Sequence, residues 1–252
     1  MIKVMLHGCK GRMGQVLENF IASMDNMTVV CGVDMNVDGS ESYPTFKNPC
    51  DCDIPCDVVI DFSNYKAVPS LIDYCLGKKL PLVIATTSLG DETEVKIKEA
   101  SKEIPVFYSF NMSLGVNVIA DVLAKITPIL EKDFDVEIIE KHHNQKKDSP
   151  SGTALLLADA VNEGCAEKKE YIFGRHGRED APSRDQIGIH SVRGGTIPGE
   201  HTVIYAGSDE IIEIKHTALS RSIFAKGAIK AAEFIANKKS GLFTMRQMVS
   251  GN

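Results

Sequence analysis

Residues 2–24, IKVMLHGCKGRMGQVLENFIASM, run from a compact apolar strand through a glycine-rich turn into an amphipathic helix. Gly8, Gly11 and Gly14 punctuate the turn. Glycines let the backbone approach a pyrophosphate closely, and the N-terminus of the helix that follows presents N–H groups and a favourable dipole to it. The spacing is G-x-x-G-x-x-G rather than G-x-G-x-x-G, so the context carries the reading. A strand precedes, a helix follows, and an acid, Asp34, stands about 20 residues on, at the end of MTVVCGVD (27–34). A carboxylate there accepts from both ribose hydroxyls of NAD(H). Met35 follows where an NADP(H) site would favour arginine, so the segment leans towards NADH. Lys10 and Arg12 in the loop are placed to reach a 2′-phosphate, which leaves NADPH open. The plain alternative is a glycine turn that binds nothing.

The same rhythm continues outward. CDVVIDFS (56–63), LPLVIATTS (80–88) and IPVFYSF (104–110) read as further strands. YKAVPSLIDYCLGKK (65–79) and DETEVKIKEASKE (91–103) read as the helices between them, with Pro69 fitting a first turn. Apolar strands alternating with helices predict a parallel sheet built from βαβ units. After about Asn111 the pattern changes. SLGVNVIADVLAKITPIL (113–130) is a long helix that kinks or ends near Pro128. FDVEIIEKH (134–142) is a strand and GTALLLADAVNEG (152–164) a helix. GIHSVRGGTIPGEHTVIYAG (188–207) and SDEIIEIKHTAL (208–219) alternate like antiparallel strands joined by turns. SRSIFAKGAIKAAEFIAN (220–237) closes the chain as a helix before GLFTMRQMV (241–249). The expectation is an α/β dinucleotide-binding domain followed by an α+β domain, without internal repeats.

Bulk properties exclude several classes. The 252 residues are 43% hydrophobic and 25% charged, with a net charge of −6, which argues against nucleic acid as a partner. No apolar run approaches the ~20 residues that span a bilayer, and the N-terminus lacks the apolar core of a signal peptide. Seven cysteines fit reduced thiols in a cytoplasm better than a disulfide framework.

The densest chemistry lies in EKHHNQKKDSPSGTA (140–154). His142 and Lys146 are four residues apart; on a helical turn they share a face, and in a loop they can still converge. An imidazole beside a fixed positive charge suits proton donation next to an anion. Ser151 can cap the helix that follows, whose first N–H groups, at Gly152 and Thr153, form a carboxylate cradle. Asp148 is expected to order the loop or a lysine. The bland reading is a solvated loop and a well-capped helix. No zinc-type ligand spacing is present here, so no metal is expected.

These segments occur together with ATTSLG (85–90), SFNMSLGVNV (109–118), IHSVRGGTIPGEHTVIYAG (189–207) and HTALSRSIFAKGAIKAA (216–232), in that order. The chain thereby resembles, from end to end, the dihydrodipicolinate (4-hydroxy-tetrahydrodipicolinate) reductase family of diaminopimelate and lysine biosynthesis. The H-H-x-x-K-x-D-x-P-S-G-T block carries most of the specificity. The resemblance implies NAD(P)H-dependent reduction of a cyclic dicarboxylate, with His142 as acid/base and Lys146 as the catalytic lysine. It implies that His143, with the backbone of Gly152 and Thr153, holds substrate carboxylates. Gly8, Cys9, Lys10, Gly11, Arg12 and Met13 match the pyrophosphate loop, and Asp34 the adenosine-ribose acid. Ala85, Thr86 and Thr87 match a stretch beside the nicotinamide ribose; Ser109, Phe110, Asn111 and Met112 match a hinge at the nicotinamide. Ala85 departs from the usual glycine, and Met112 from a common phenylalanine set against the cofactor. The implied fold is a Rossmann-like domain of residues 1–112 and 221–252, with a mixed-sheet domain, 113–220, that binds substrate and builds a cytoplasmic homotetramer. Another two-domain dehydrogenase would lack the histidine block, and a non-catalytic dinucleotide sensor would have lost His142 or Lys146.

Other features read as structural. CDCDIPC (50–56) has no partner cluster for a metal. His176, His190, His201 and His216 are expected to serve packing or turns. RHGRED (175–180) reads as a solvated surface loop.

Overall fold

A computed structural model describes residues 1–178 and 182–251, so the end of the RHGRED stretch, Glu179 and Asp180, lies outside the described residues. The chain divides into two compact units, Met1–Leu114 with Arg221–Asn252, and Gly115–Ser220.

In the first unit, strands β1 (Ile2–His7), β2 (Met27–Val33), β3 (Thr45–Phe46), β4 (Val58–Asp61), β5 (Leu82–Ile84) and β6 (Pro105–Tyr108) are joined by α1 (Arg12–Ala22), α2 (Val68–Lys78) and α3 (Asp91–Ala100). A strand from the C-terminal segment, Gly241–Phe243, lies on the outer edge of β6. All seven strands are parallel, and β1 lies between β4 and β2. Both faces are covered, which is why the strands read as continuous apolar runs. Val4, Leu6, Val58, Ile60 and Val83 pack on one face with Leu17 and Ile21 of α1. Met5, Val59, Leu82 and Ile84 pack on the other, with Leu71 and Ile72 of α2. Pro69 sits in the first turn of α2, where its missing N–H costs nothing. The short β3 and the C-terminal strand are too brief to leave a periodic signal.

The second unit carries α4 (Leu114–Leu130), β7 (Asp135–His142), α5 (Gly152–Gly164), β8 (Glu170–Phe173), β9 (Gln186–Arg193), β10 (Gly199–Ala206) and β11 (Ile211–Ala218). Helix α4 continues past Pro128, which lies in its last turns. The five-stranded sheet has the order β11-β10-β7-β9-β8. Strands β9, β10 and β11 alternate in direction and are joined by turns, as expected, but only β10 and β11 are neighbours; β9 and β10 do not pair. Strand β7 lies between those two, parallel to β9 and antiparallel to β10. Period-two alternation is the same in either pairing mode, so the sequence pattern does not reveal such an insertion. Val136 and Ile138 of β7 share a buried core with Leu157 and Val161 of α5, and with Val203 and Tyr205 of β10. Tyr205 Oη and Thr127 Oγ1 meet within that core at 2.6 Å.

Two helices complete the first unit beyond Arg221: α6 (Ser222–Ile235) and α7 (Met245–Ser250). Helix α6 packs on the β1–β4–β5 face through Ala225, Ala228 and Ile229. Its Gly227 sits directly against the Met112 carbonyl, leaving no room for a Cβ.

Candidate active site

The carboxyl ends of β1, β2, β4, β5 and β6 gather the first set of predicted residues. Gly8 adopts φ +85, and a Cβ there would lie 2.4 Å from the Phe62 carbonyl oxygen. Gly11 is the N-cap of α1 and offers no side-chain cap, and the first turn holds no acidic residue. The helix therefore presents uncapped N–H groups and an unopposed positive dipole end, as an anion requires. Gly14 lets the helix pass close to the loop, since a Cβ there would be 2.3 Å from the Gly8 oxygen. Asp34 follows β2; its carboxylate accepts from the Lys10 N–H at 3.1 Å and the Asn36 N–H at 3.0 Å. The groups present fit a dinucleotide: a bare helix terminus for pyrophosphate, with an anchored carboxylate beside the same loop.

The side chains of the loop divide by role. Cys9 points into the core, where burial first, then Asp34 and Glu41, pushes its thiol up to about 11. The Lys10 ammonium is clamped by Glu41 at 2.6 Å and Asp38 at 3.0 Å, and Ser40 accepts from it at 3.2 Å. Those carboxylates, Glu41 foremost, raise the Lys10 pKa. Arg12 is exposed and Met13 packs against the core. Thr86 is buried, and its Oγ1 accepts from the Ser63 N–H at 2.9 Å; Ala85 is buried and Thr87 exposed. Ser109 Oγ donates to the Asn111 carbonyl at 2.8 Å. Phe110 is 54% exposed while Met112 is 2% exposed, within the apolar core. The structure thus turns Met112 inward, and the exposed apolar side chain of that segment is Phe110.

In the second unit, the strand period builds the other set. Val136, Ile138 and Glu140 are the buried positions of β7, and His142 is next on the same face. Glu140 is wholly buried, opposite His201 of β10, and His142 stands opposite Arg193 of β9. Arg193 grips the carboxylate with both arms, Nη1 to Oε2 at 2.8 Å and Nη2 to Oε1 at 2.6 Å. The Ser151 N–H donates to Oε1 at 3.1 Å, and His142 Nδ1 lies 2.6 Å from Oε2. Burial alone would raise the Glu140 pKa, but the hydrogen bonds from Arg193 and His142 hold it down to about 2. It is an anion at neutral pH. The His142 pKa is lowered, chiefly by burial; Glu140 opposes this while Lys146 and Arg193 add to it.

Lys146 lies in the loop after β7 and pairs with Asp148 at 2.9 Å, so Asp148 orders the lysine as expected. His142 and Lys146 therefore share a strand end and its loop rather than a helical turn. His143 follows β7 directly, and its carbonyl accepts from the Lys146 N–H at 3.2 Å. Ser151 caps α5, its Oγ accepting from the Ala154 N–H at 3.1 Å, and the helix opens with Gly152 and Thr153. Gly152 faces open space. His201, expected to serve packing, is 5.1 Å from His142 ring to ring, and its Nε2 is 2.7 Å from Ser151 Oγ. Among the described residues, no group of three or more His, Cys, Asp and Glu is arranged to hold a metal, and no helix is long and apolar enough to cross a membrane.

Comparison with known proteins matches both halves of the chain to one family: "Dihydrodipicolinate reductase, N-terminus" over residues 2–112 and "Dihydrodipicolinate reductase, C-terminus" over 115–249. The chain belongs to the dihydrodipicolinate reductase family. The 4-hydroxy-tetrahydrodipicolinate reductase of Clostridium tetani is 50% identical over 250 residues, covering 99% of this chain and 98% of its own. That of Caldanaerobacter subterraneus subsp. tengcongensis is 47% identical over 249 residues, with the same coverage. A dipicolinate-bound dihydrodipicolinate reductase from Paenisporosarcina sp. TG-14 superposes with a TM-score of 0.80 at 25% identity, covering 97% of each chain. The Rossmann-like parallel sheet and the second mixed sheet are the fold of this family, whose members are oxidoreductases.

Within this family member, reading the sequence for chemistry missed Glu140, Arg193 and His201. Glu140 carried a signal: it occupies the third buried position of an alternating apolar strand, where a carboxylate needs a partner. Arg193 and His201 carried none, because their approach depends on β7 lying between β9 and β10.

Proposed function

We propose that this chain catalyses the NAD(P)H-dependent reduction of 4-hydroxy-tetrahydrodipicolinate to tetrahydrodipicolinate in diaminopimelate and lysine biosynthesis. The observation that carries the reading is His142. Its Nδ1 is held at 2.6 Å by a buried carboxylate, beside a lysine and the N-terminus of α5. That combination suits proton delivery to an anionic ring, and the relative with bound dipicolinate, a cyclic dicarboxylate, supports the substrate class.

The first unit would hold the dinucleotide. The Gly8–Met13 loop and the α1 terminus take the pyrophosphate and Asp34 the adenosine ribose, while residues 85–87 and 109–112 line the nicotinamide end, Met112 from within the core. Loss of the 4-hydroxyl as water gives the conjugated ring, and the reduced nicotinamide, when bound, would supply hydride to its double bond. His142 then gives the proton from Nε2 that quenches the resulting enamine-like anion. Burial makes its imidazolium a readier acid, and an arriving dicarboxylate favours that protonated form. Lys146, His143 and the Gly152 and Thr153 amides hold the carboxylates and the developing charge. Lys146 must exchange Asp148 for substrate. The carboxylates on Lys10 favour NADH, because they occupy the ammonium a 2′-phosphate would need. A cytoplasmic setting is supported by seven free thiols. Exposed Phe173, Val192 and Ile211 on three strands of the second unit support assembly through it, and the resemblance implies a homotetramer.

The test couples the condensation product of pyruvate and aspartate semialdehyde, made in situ, to oxidation of NADH and of NADPH in parallel. Product-dependent oxidation is expected, and His142→Gln should slow it about 10²–10⁴-fold with little change in NADH affinity. Folded protein that binds NADH but oxidises neither coenzyme would overturn the reading.

A further inference from the structure

Catalysis by His142 requires that one ring nitrogen face the substrate in a defined protonation state. An imidazole free to turn, or to exchange tautomers, meets that requirement only part of the time. In this chain Nδ1 is committed to Glu140, while Nε2 has no hydrogen-bond partner among the described residues. The space over Nε2 is kept by Gly199, where a Cβ would stand 3.0 Å from that nitrogen. Glu140 itself has no freedom. It is wholly buried, and its oxygens accept from both arms of Arg193, the Ser151 N–H and His142, with the Ser191 side chain a further hydrogen-bonding partner. Arg193 is anchored in turn, donating from Nη2 to the Asp148 carbonyl at 2.7 Å and from Nη1 to the Val192 carbonyl at 2.8 Å.

We propose that Glu140 and Arg193 are positioning residues of the reaction. Glu140 fixes the Nδ1–H tautomer and the orientation of His142, and Arg193 fixes Glu140 while tempering the field it exerts on the ring. This rests on the reading of His142 as the proton donor. The two partners act in opposite directions. The carboxylate stabilises the imidazolium, and the guanidinium beside that carboxylate offsets part of its field. A pair serving only to hold strands β7 and β9 together would exert the same fields, but its loss would leave the His142 tautomer and the split between kcat and KM unchanged. The other groups acting on the ring are Lys146 from the loop, itself paired with Asp148, and His201 from β10, with His216 of β11 opposite His201. All are retained in the variants that follow, so they do not contribute to the difference.

The opposition sets the experiment. Imidazole nitrogens of ¹⁵N-histidine-labelled full chain are followed by NMR against pH, with the His142 signals assigned by their absence from His142→Gln. These shifts report tautomer and midpoint without turnover. In the wild type a single Nδ1–H tautomer is expected. Glu140→Gln should give a tautomer mixture and move the midpoint down by roughly one pH unit, and Arg193→Met should move it up by roughly one. The alkaline limb of kcat/KM should follow each shift. Glu140→Gln should lower kcat on the order of 10²-fold, with KM nearly unchanged. The double variant Glu140→Gln/Arg193→Met leaves neither charge unpaired, and it carries the test if a single variant fails to fold. It too should show the tautomer mixture. An unchanged tautomer and midpoint in all variants, with turnover reduced alike, would overturn the proposal and leave a structural pair. If instead His142→Gln retains full turnover, the reading of His142 fails, whatever the NMR shows for Glu140.

Discussion

His201 offers the most direct quantitative handle on this site. It is 4% exposed, its Nδ1 meets no partner among the described residues, and burial first, then His142, pulls its pKa down to about 3. The unfolded chain takes up that proton near the ordinary imidazole value of 6.5. Because the folded value is the lower one, the stability contribution is complete above the unfolded pKa and is lost as pH falls towards the folded one. Within that window the unfolded state binds one more proton, and stability falls by about 1.4 kcal/mol per pH unit. Integrated from about pH 7 to about pH 5, the loss is about 2 kcal/mol, and it is nearly the same for any folded value below about 4. His201→Gln keeps a polar partner for Ser151 Oγ and removes the titration. With a urea dependence of about 2 kcal/mol per molar, the wild-type midpoint should fall by about 1 M more than the variant's between those two pH values. Circular dichroism in urea at both pH values measures this. Titration of His142 and His216 is common to both proteins and cancels in the difference. Equal falls in the two midpoints would mean that His201 is protonated in the folded chain, and the linkage argument would fail.

Three further outcomes follow from the first unit. Asp38→Asn with Glu41→Gln releases the Lys10 ammonium, and the ratio of kcat/KM for NADPH to that for NADH should rise by roughly an order of magnitude; nucleotide-fluorescence titrations should show the same change in affinity. Gly14→Ala places a Cβ 2.3 Å from the Gly8 oxygen, so NADH affinity and melting temperature should both drop, whereas Gly77→Ala, with open space in α2, should stabilise by about 0.5–1 kcal/mol in thermal melts.

Much of the fold is legible in the chain because local signals agree with the global arrangement. The glycine turn, the apolar strands and the capped helix after SPSGT each lie where their pattern puts them. What the sequence concealed is long-range. Placing β7 between β9 and β10 requires knowing which alternating strands pair, and alternation is silent on partner and direction. The three-residue strand Gly241–Phe243 is too short to carry a period, and its place beside β6 follows from α6 packing back on the first unit. Met112 shows the same limit at one residue: the motif does not tell that its carbonyl lies against Gly227 of α6 and that its side chain joins the core.

The site repeats that division on a finer scale. His142, Lys146 and the start of α5 are adjacent in sequence, so a motif finds them. The residues that set their chemistry are distant in sequence. Arg193 is 53 positions from Glu140, and His201 is 50 from Ser151. Yet one mark of that outer set lay in plain view. A strand whose buried face runs valine, isoleucine, glutamate and then histidine breaks its own apolar pattern at the third place. Such a break costs several kcal/mol unless the charge is matched, so it implies an unseen cation across the sheet. Arg193 is that cation, and the imidazole two residues on is the group whose nitrogen the pair directs. A carboxylate that closes the apolar face of a strand, two residues ahead of a candidate acid, is thus itself a sequence signature of a carboxylate–imidazole dyad.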